Sequence, residues 1–260
     1  MKKIILQGLL YDEKSSFLKG TSLAPPIIRD KFWSKSTNTF SENHIDVEKF
    51  IDDAGDVRIN DYFEIEKESL KHLTGKNRIL TLGGDHSITY PLIKAYSKIY
   101  DSFDVLHIDA HPDLYEELDN DKYSHACPFA RIMDEKLIDR LIQVGIRTWT
   151  THQLEQAQKY NVAVHEMKNF NLKDISELKN DVYISLDMDA FDPAFAPGVS
   201  HHEPGGLTSR QVISIIQNIK TRIIGADIVE YNPKRDVQGI TAALAAKMMK
   251  EIISQMIKNK

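Results

Sequence analysis

Four short segments of this chain concentrate carboxylates and imidazoles: Gly83-Gly84-Asp85-His86-Ser87, Asp109-Ala110-His111-Pro112-Asp113, Asp187-Met188-Asp189 with Asp192-Pro193 behind it, and Glu230. Asp109, His111 and Asp113 are two apart, as are Asp187 and Asp189. In extended chain, residues i and i+2 point the same way, so each segment can present its donors to one point. Isolated buried carboxylates are expensive, and several in one cleft are tolerable only if cations neutralise them. The donors are carboxylate-rich with histidine and no thiolate, which favours a hard or borderline divalent ion such as manganese over structural zinc. His86, Asp109, His111, Asp113, Asp187 and Asp189 are too many ligands for one octahedral ion that must also bind water. Two ions sharing Asp109 and Asp187, roughly 3.5–4 Å apart and bridged by hydroxide, use them better.

Each fragment alone has a plainer reading. An Asp-x-His or Asp-x-Asp is more often a loop cap or surface pair than a metal site. Asp85 can cap a helix that begins near Ser87. The joint occurrence carries the weight, because each segment follows a strand-like run. Apolar runs at 3–9, 78–82, 104–108, 141–146, 162–165, 182–186 and 223–228 read as buried strands. Segments of helical period lie between them. Thr208 and Gln211 form a capping box ahead of the stripe Val212, Ile215, Ile216 and Ile219, and Ile240, Leu244, Met248, Ile252 and Met256 make a second stripe. Strands alternating with helices predict an α/β fold with a parallel sheet covered on both faces, and ligands of such sheets bind outside the carboxyl ends of the strands. No linker or repeat divides the chain, so residues 1–260 are read as one domain. Residues 190–206 form a long Pro- and Gly-rich loop of the functional kind, and 34–61 carry too weak a pattern to assign.

A net charge of -5 without any block of Lys or Arg lacks the electrostatic footprint of a nucleic-acid binder. No run approaches the roughly 20 apolar residues of a membrane span. The first residues read as a strand rather than a signal peptide. With the single cysteine, Cys127, this predicts a reducing, cytoplasmic setting.

The segments GGDHS (83–87), DAHPDLY (109–115), SLDMDAFDPAFAPG (185–198) and DIVEYNP (227–233) resemble, in order, the arginase/agmatinase (ureohydrolase) family. YSHACPFARIM (123–133), QVGIRT (143–148), DPAFAPGVSHHEPGGLT (192–208) and VEYNPKRD (229–236) look most like its plant-type arginases. The resemblance implies a three-layer α/β/α fold, two Mn2+ ions, a small guanidino substrate and assembly into trimers or hexamers. It assigns one metal to His86, Asp109, Asp113 and Asp187, and the other to Asp109, His111, Asp187 and Asp189. It gives His125 the role of proton shuttle to the departing amine, and Glu230 then pairs with the guanidinium. Asp113 also stabilises charge on the departing nitrogen. The plainer alternatives are a backbone-bonded loop histidine for His125 and a salt bridge to Lys234 or Arg235 for Glu230. Cys127 reads as a packed residue rather than a nucleophile. At His201 typical agmatinases and animal arginases carry threonine, and both His201 and His202 read as loop residues near the substrate entrance.

The tail of the substrate is read apart from the metals. The acidic loop Glu116-Glu117-Leu118-Asp119-Asn120-Asp121 favours the cationic tail of agmatine, whereas the likeness to plant-type arginases favours arginine. Arginase stands slightly ahead of agmatinase; formimidoglutamate and guanidinobutyrate suit an acidic entrance poorly. Two readings of other kinds are a non-catalytic metal-binding homologue and a one-metal zinc deacetylase of similar architecture.

Overall fold

The alternation within each apolar run sorts its side chains onto two faces of a sheet. The computed structural model describes residues 3–171 and 178–259. Among these, eight strands form one sheet: β1 (Ile4–Leu10), β2 (Ile51–Arg58), β3 (Arg78–Leu82), β4 (Asp104–Ile108), β5 (Arg140–Ile146), β6 (Ala163–Glu166), β7 (Val182–Asp187) and β8 (Ile223–Val229). Their order is β2-β1-β3-β8-β7-β4-β5-β6, and every pairing is parallel. On one face Leu6, Leu80, Leu106, Ile184 and Ile228 pack with α1 (Ala24–Phe32), α6 (Ser209–Asn218) and α7 (Ile240–Lys258). On the other, Leu9, Ile79, Val105 and Tyr183 pack with α2 (Glu64–His72), α3 (Thr89–Ser97), α4 (Pro128–Asp134) and α5 (Thr151–Lys159). The result is the expected three-layer α/β/α arrangement.

The seven predicted strands are present with ends shifted by a residue or so, and one more was missed. β2 lies within 34–61 at the sheet edge, with most of its side chains exposed and a local register shift against β1. Edge strands carry charge to discourage further pairing, so its sequence IDDAGDVR has no apolar run to read. The capping box forms as expected: Gln211 N donates to Thr208 Oγ1, and Thr208 N donates to Gln211 Oε1. The second stripe is real from Leu244 onward, but Ile240 at its start is 51% exposed. Further along, α7 is buried on nearly all sides, Lys250, Glu251 and Gln255 included, because the chain around residues 37–43 covers its outer face.

One row across this sheet is polar. Gln7, Thr81, Asp227, Ser185, His107 and Gln143 are register partners on six successive strands, and all are buried. His107 and Ser185 stand two residues before Asp109 and Asp187. Just above, the chain after β3 passes so close to Tyr11 that a Cβ on Gly84 would sit 1.6 Å from its carbonyl oxygen, the atom that accepts Asp85 N. Gly84→Ala is expected to cost about 1–3 kcal/mol in denaturant unfolding, because backbone must move to admit the methyl; an unchanged midpoint would mean this strand end is free to shift.

Candidate metal centre

Strands β3, β8, β7 and β4 are neighbours, so their carboxyl ends bring the four motif segments together. His86 leads a short 3-10 turn that Asp85 caps by accepting Ser87 N. Its Nδ1 lies 3.1 Å from Asp109 Oδ2, 3.0 Å from Asp113 Oδ2 and 3.1 Å from Asp187 Oδ2. Adjacent ligands of an octahedral ion with bonds of about 2.1 Å are about 3.0 Å apart. Beside them, His111 Nδ1 stands 3.0 Å from Asp189 Oδ2 and 3.5 Å from Asp109 Oδ1. Asp109 thus turns one oxygen to each group. Potential donor atoms of His86, His107, Asp109 and Asp113 cluster within 4.8 Å of one another, and so do those of Asp109, His111 and Asp189.

The polar row sets the tautomers. Ser185 Oγ donates its one proton to Asp227 Oδ1 at 2.7 Å, so at His86 Nε2, 2.9 Å away, it accepts. His86 Nε2 therefore carries hydrogen, and Nδ1 is left with a lone pair aimed among carboxylates. Nδ1 is buried and has no hydrogen-bond partner, so its lone pair would suit a cation. His107 works the other way. Gln143 Nε2 donates to its Nδ1 at 3.0 Å, so its Nε2 donates to Asp109 Oδ2 at 2.7 Å, and Phe129 stacks on the ring. It orients a donor rather than serving as one.

Without a cation these groups must hold protons. Burial opposes a charge on His86, but the carboxylates of Asp109, Asp113 and Asp187 close to Nδ1 outweigh it and keep the imidazole well above its usual range. Burial also opposes charge on His111, where Asp189 and Asp109 prevail. Burial, then repulsion from Asp189 and Asp109, pushes Asp187 well above the usual carboxylate range. A divalent ion removes the repulsion and displaces the protons.

Above the cluster, Glu230 stands on left-handed backbone, φ 62°. Its Oε1 accepts His86 N at 2.9 Å and His125 Nδ1 at 2.8 Å, not a salt bridge from Lys234 or Arg235. Burial lowers the His125 pKa, but the Glu230 charge outweighs it and raises the pKa to about 9. Burial likewise raises Glu230, and His125 more than offsets it, so the carboxyl stays below its usual range. The His201 ring lies over this region, 5.9 Å from His111 and 5.6 Å from both His125 and Phe17, while His202 faces outward to Pro197 O and Arg235. Arg147 donates to the carbonyls of Gly145, Asp189, Ala190, Phe191 and Glu203, tying both ends of the long loop to the centre. The Cys127 thiol is buried and pushed up to about 12 by that burial, which fits a packed residue.

The structure thus gathers all the sequence-predicted site residues and adds His107, Ser185, Asp227, Gln143, Arg147 and Ser16, whose Oγ lies 2.8 Å from His125 Nε2. One polar residue inside each apolar strand run was the signal for four of them. Nothing in the local sequence marks Ser16.

Comparison with known proteins identifies the family. A family model described as "Arginase family" matches residues 2–254. "Arginase, mitochondrial" of Medicago truncatula is 43% identical, covering 97% of this chain and 82% of its own length. "Arginase 2, chloroplastic/mitochondrial" of Arabidopsis thaliana is 41% identical over 97% of this chain and 80% of its own. The solved structure "Arginase from Medicago truncatula" superposes with a TM-score of 0.91 at 42% identity, covering 98% of this chain and 87% of that one. These names overturn the expected cytoplasmic location, since both curated relatives are placed in organelles. The chain has a lone cysteine, and among the described residues no helix is long and apolar enough to cross a membrane. These features do not discriminate between aqueous compartments.

Asp227→Asn should weaken divalent-metal affinity about 10–100-fold in a competition titration, by loosening the Ser185–His86 support. In the unaltered chain, affinity should climb as pH rises through and beyond the ordinary histidine range, because His86 and His111 hold their protons above it until the ion displaces them. A pH-independent affinity would contradict this.

Proposed function

The chain belongs to the arginase family, and from that premise we propose that it hydrolyses L-arginine to ornithine and urea at two manganese ions. It is a ureohydrolase of a metal-dependent family, with a candidate multi-residue metal site. We read residues 1–260 as one catalytic domain, since every described strand belongs to one sheet. The observation that carries the two-ion reading is the Asp109 carboxylate, one oxygen facing His86 and the other His111. We assign one ion to His86, Asp109, Asp113 and Asp187, and its neighbour to Asp109, His111, Asp187 and Asp189. All-oxygen-and-imidazole donors suit manganese. Bound, the pair would supply hydroxide near neutral pH by lowering the pKa of water towards ~7.

The protein's own groups do the rest. Both hydrogen bonds to Glu230 fall on Oε1, leaving Oε2 to take the N–H groups of the planar guanidinium. The amine leaves a tetrahedral carbon only if protonated, and His125, charged at neutral pH, holds that proton. Asp113 flanks the departing nitrogen as it gains charge. The acidic loop argues less for agmatine than its sequence suggests, because Lys14 Nζ pairs with Asp121 Oδ2 at 2.7 Å. That neutralisation, with the plant arginases among the relatives, supports arginine; agmatine is the second substrate to test. Assembly into a trimer or hexamer is part of the same proposal, and light scattering in solution reads it.

On manganese-loaded protein, kcat/KM for arginine should exceed that for agmatine, and urea release from no guanidine at all would retire the proposal. His125→Asn should keep its metal and lose about 10²–10⁴-fold in kcat. In the unaltered enzyme the rate should fall as pH rises through about 9, where His125 gives up its proton. Glu230→Gln removes the charge that lifts this pKa, so that limb should move to lower pH.

A further inference from the structure

Glu230 fixes which nitrogen of His125 moves the proton. An ionised carboxylate only accepts, so the nitrogen facing Glu230 Oε1 at 2.8 Å, Nδ1, carries hydrogen whether the ring is charged or neutral. Every proton His125 gains or loses must pass through Nε2. The partner of Nε2 is Ser16 Oγ, at 2.8 Å.

Ser16 is not a passing surface residue, although it is exposed. Its loop is tied to the centre from both sides. Lys14 N and Ser15 Oγ donate to Asp85 Oδ2 at 3.0 and 3.3 Å, and His125 N donates to Lys14 O at 3.1 Å. Beyond it, Leu18 O accepts Ser200 Oγ at 3.0 Å and Asn232 Nδ2 at 3.4 Å. Asp85 is the residue that caps the His86 turn, so one carboxylate sets both a metal-facing histidine and this loop.

Direction follows from the chemistry. The carboxylates sit at the floor of the site, with Asp109 fully buried and Asp187 2% exposed, so attack comes from below. The departing nitrogen is the one bearing the substrate's tail, which must run outward to solvent. His125 and Ser16 lie on that outward side, with Ser16 the more exposed. We propose that the Ser16 hydroxyl is the last link of the proton path, handing the His125 proton to the departing amine; this rests on the ureohydrolase reading above. As the carbon–nitrogen bond breaks, its electron pair stays on the amine. That nitrogen takes the Ser16 hydroxyl proton, and the hydroxyl regains one from Nε2. His125 ends neutral, with Nε2 accepting from Ser16.

The test uses the full manganese-loaded chain with arginine. Ser16→Ala should lower kcat about 10²-fold, with KM and metal content little changed, whereas Ser16→Thr, which keeps the hydroxyl, should recover most of the rate. Single-turnover rates in mixtures of light and heavy water should curve for the unaltered enzyme, where two protons move together, and become linear in Ser16→Ala. A rate in Ser16→Ala within about threefold of the unaltered enzyme, or curvature that survives the substitution, overturns the relay and leaves the ureohydrolase reading standing. An unaltered chain that releases no urea sinks both.

Discussion

Four aspartates share one buried cleft, and their mutual repulsion is the constraint around which the rest is arranged. Asp109, Asp113, Asp187 and Asp189 are each no more than 6% exposed. Water cannot screen them there, and burial penalises each charge in full. Only two remedies exist, protons or metal ions. The positions of the histidines decide between them: His86 Nδ1 is stripped of any hydrogen-bond partner while its other nitrogen is locked to Ser185. A lone pair so placed among carboxylate oxygens about one octahedral edge away fits a divalent cation.

Seen from that cleft, the sheet is its foundation and the loops are its walls. Four adjacent central strands bring in the metal donors and Glu230 at their carboxyl ends, and the polar row beneath fixes the histidine tautomers through Ser185, Asp227, His107 and Gln143. Burying such a row in a sheet is costly unless its members satisfy one another, and here each bonds to a neighbour in the row or to the site. Above the cleft the walls come from distant parts of the chain. Arg147 holds the long loop near His201, and the segment after β1 lays Ser16 against His125. Rigid donors below and a composite wall above separate the candidate metal site from the part of the cleft that would meet the substrate's tail.

The donors and seven of the strands were legible in the sequence because spacing encodes them directly: a period of two in Asp109, His111 and Asp113, and apolar runs ending at each motif. Glu230 and the sharing of Asp109 and Asp187 were read from position and ligand count, whereas His125, the role proposed for Glu230 and the full division of ligands came only through family resemblance. β2 escaped because an edge strand advertises charge, not hydrophobicity. His107 and Ser185 were in plain view, each two residues before a predicted ligand, but a polar residue inside a strand run reads as noise until the register aligns it with others. Ser16 was invisible for a different reason: its contact with His125 spans 109 positions and is made by loop packing, which no local pattern carries.

The most direct measurement is electron paramagnetic resonance of the manganese-reconstituted protein, with the bound metal counted. Two ions per chain giving the spectrum of a magnetically coupled pair is the result predicted, since Asp109 would bridge them. A single equivalent with the signal of an isolated ion would contradict the shared-carboxylate centre and every role derived from it.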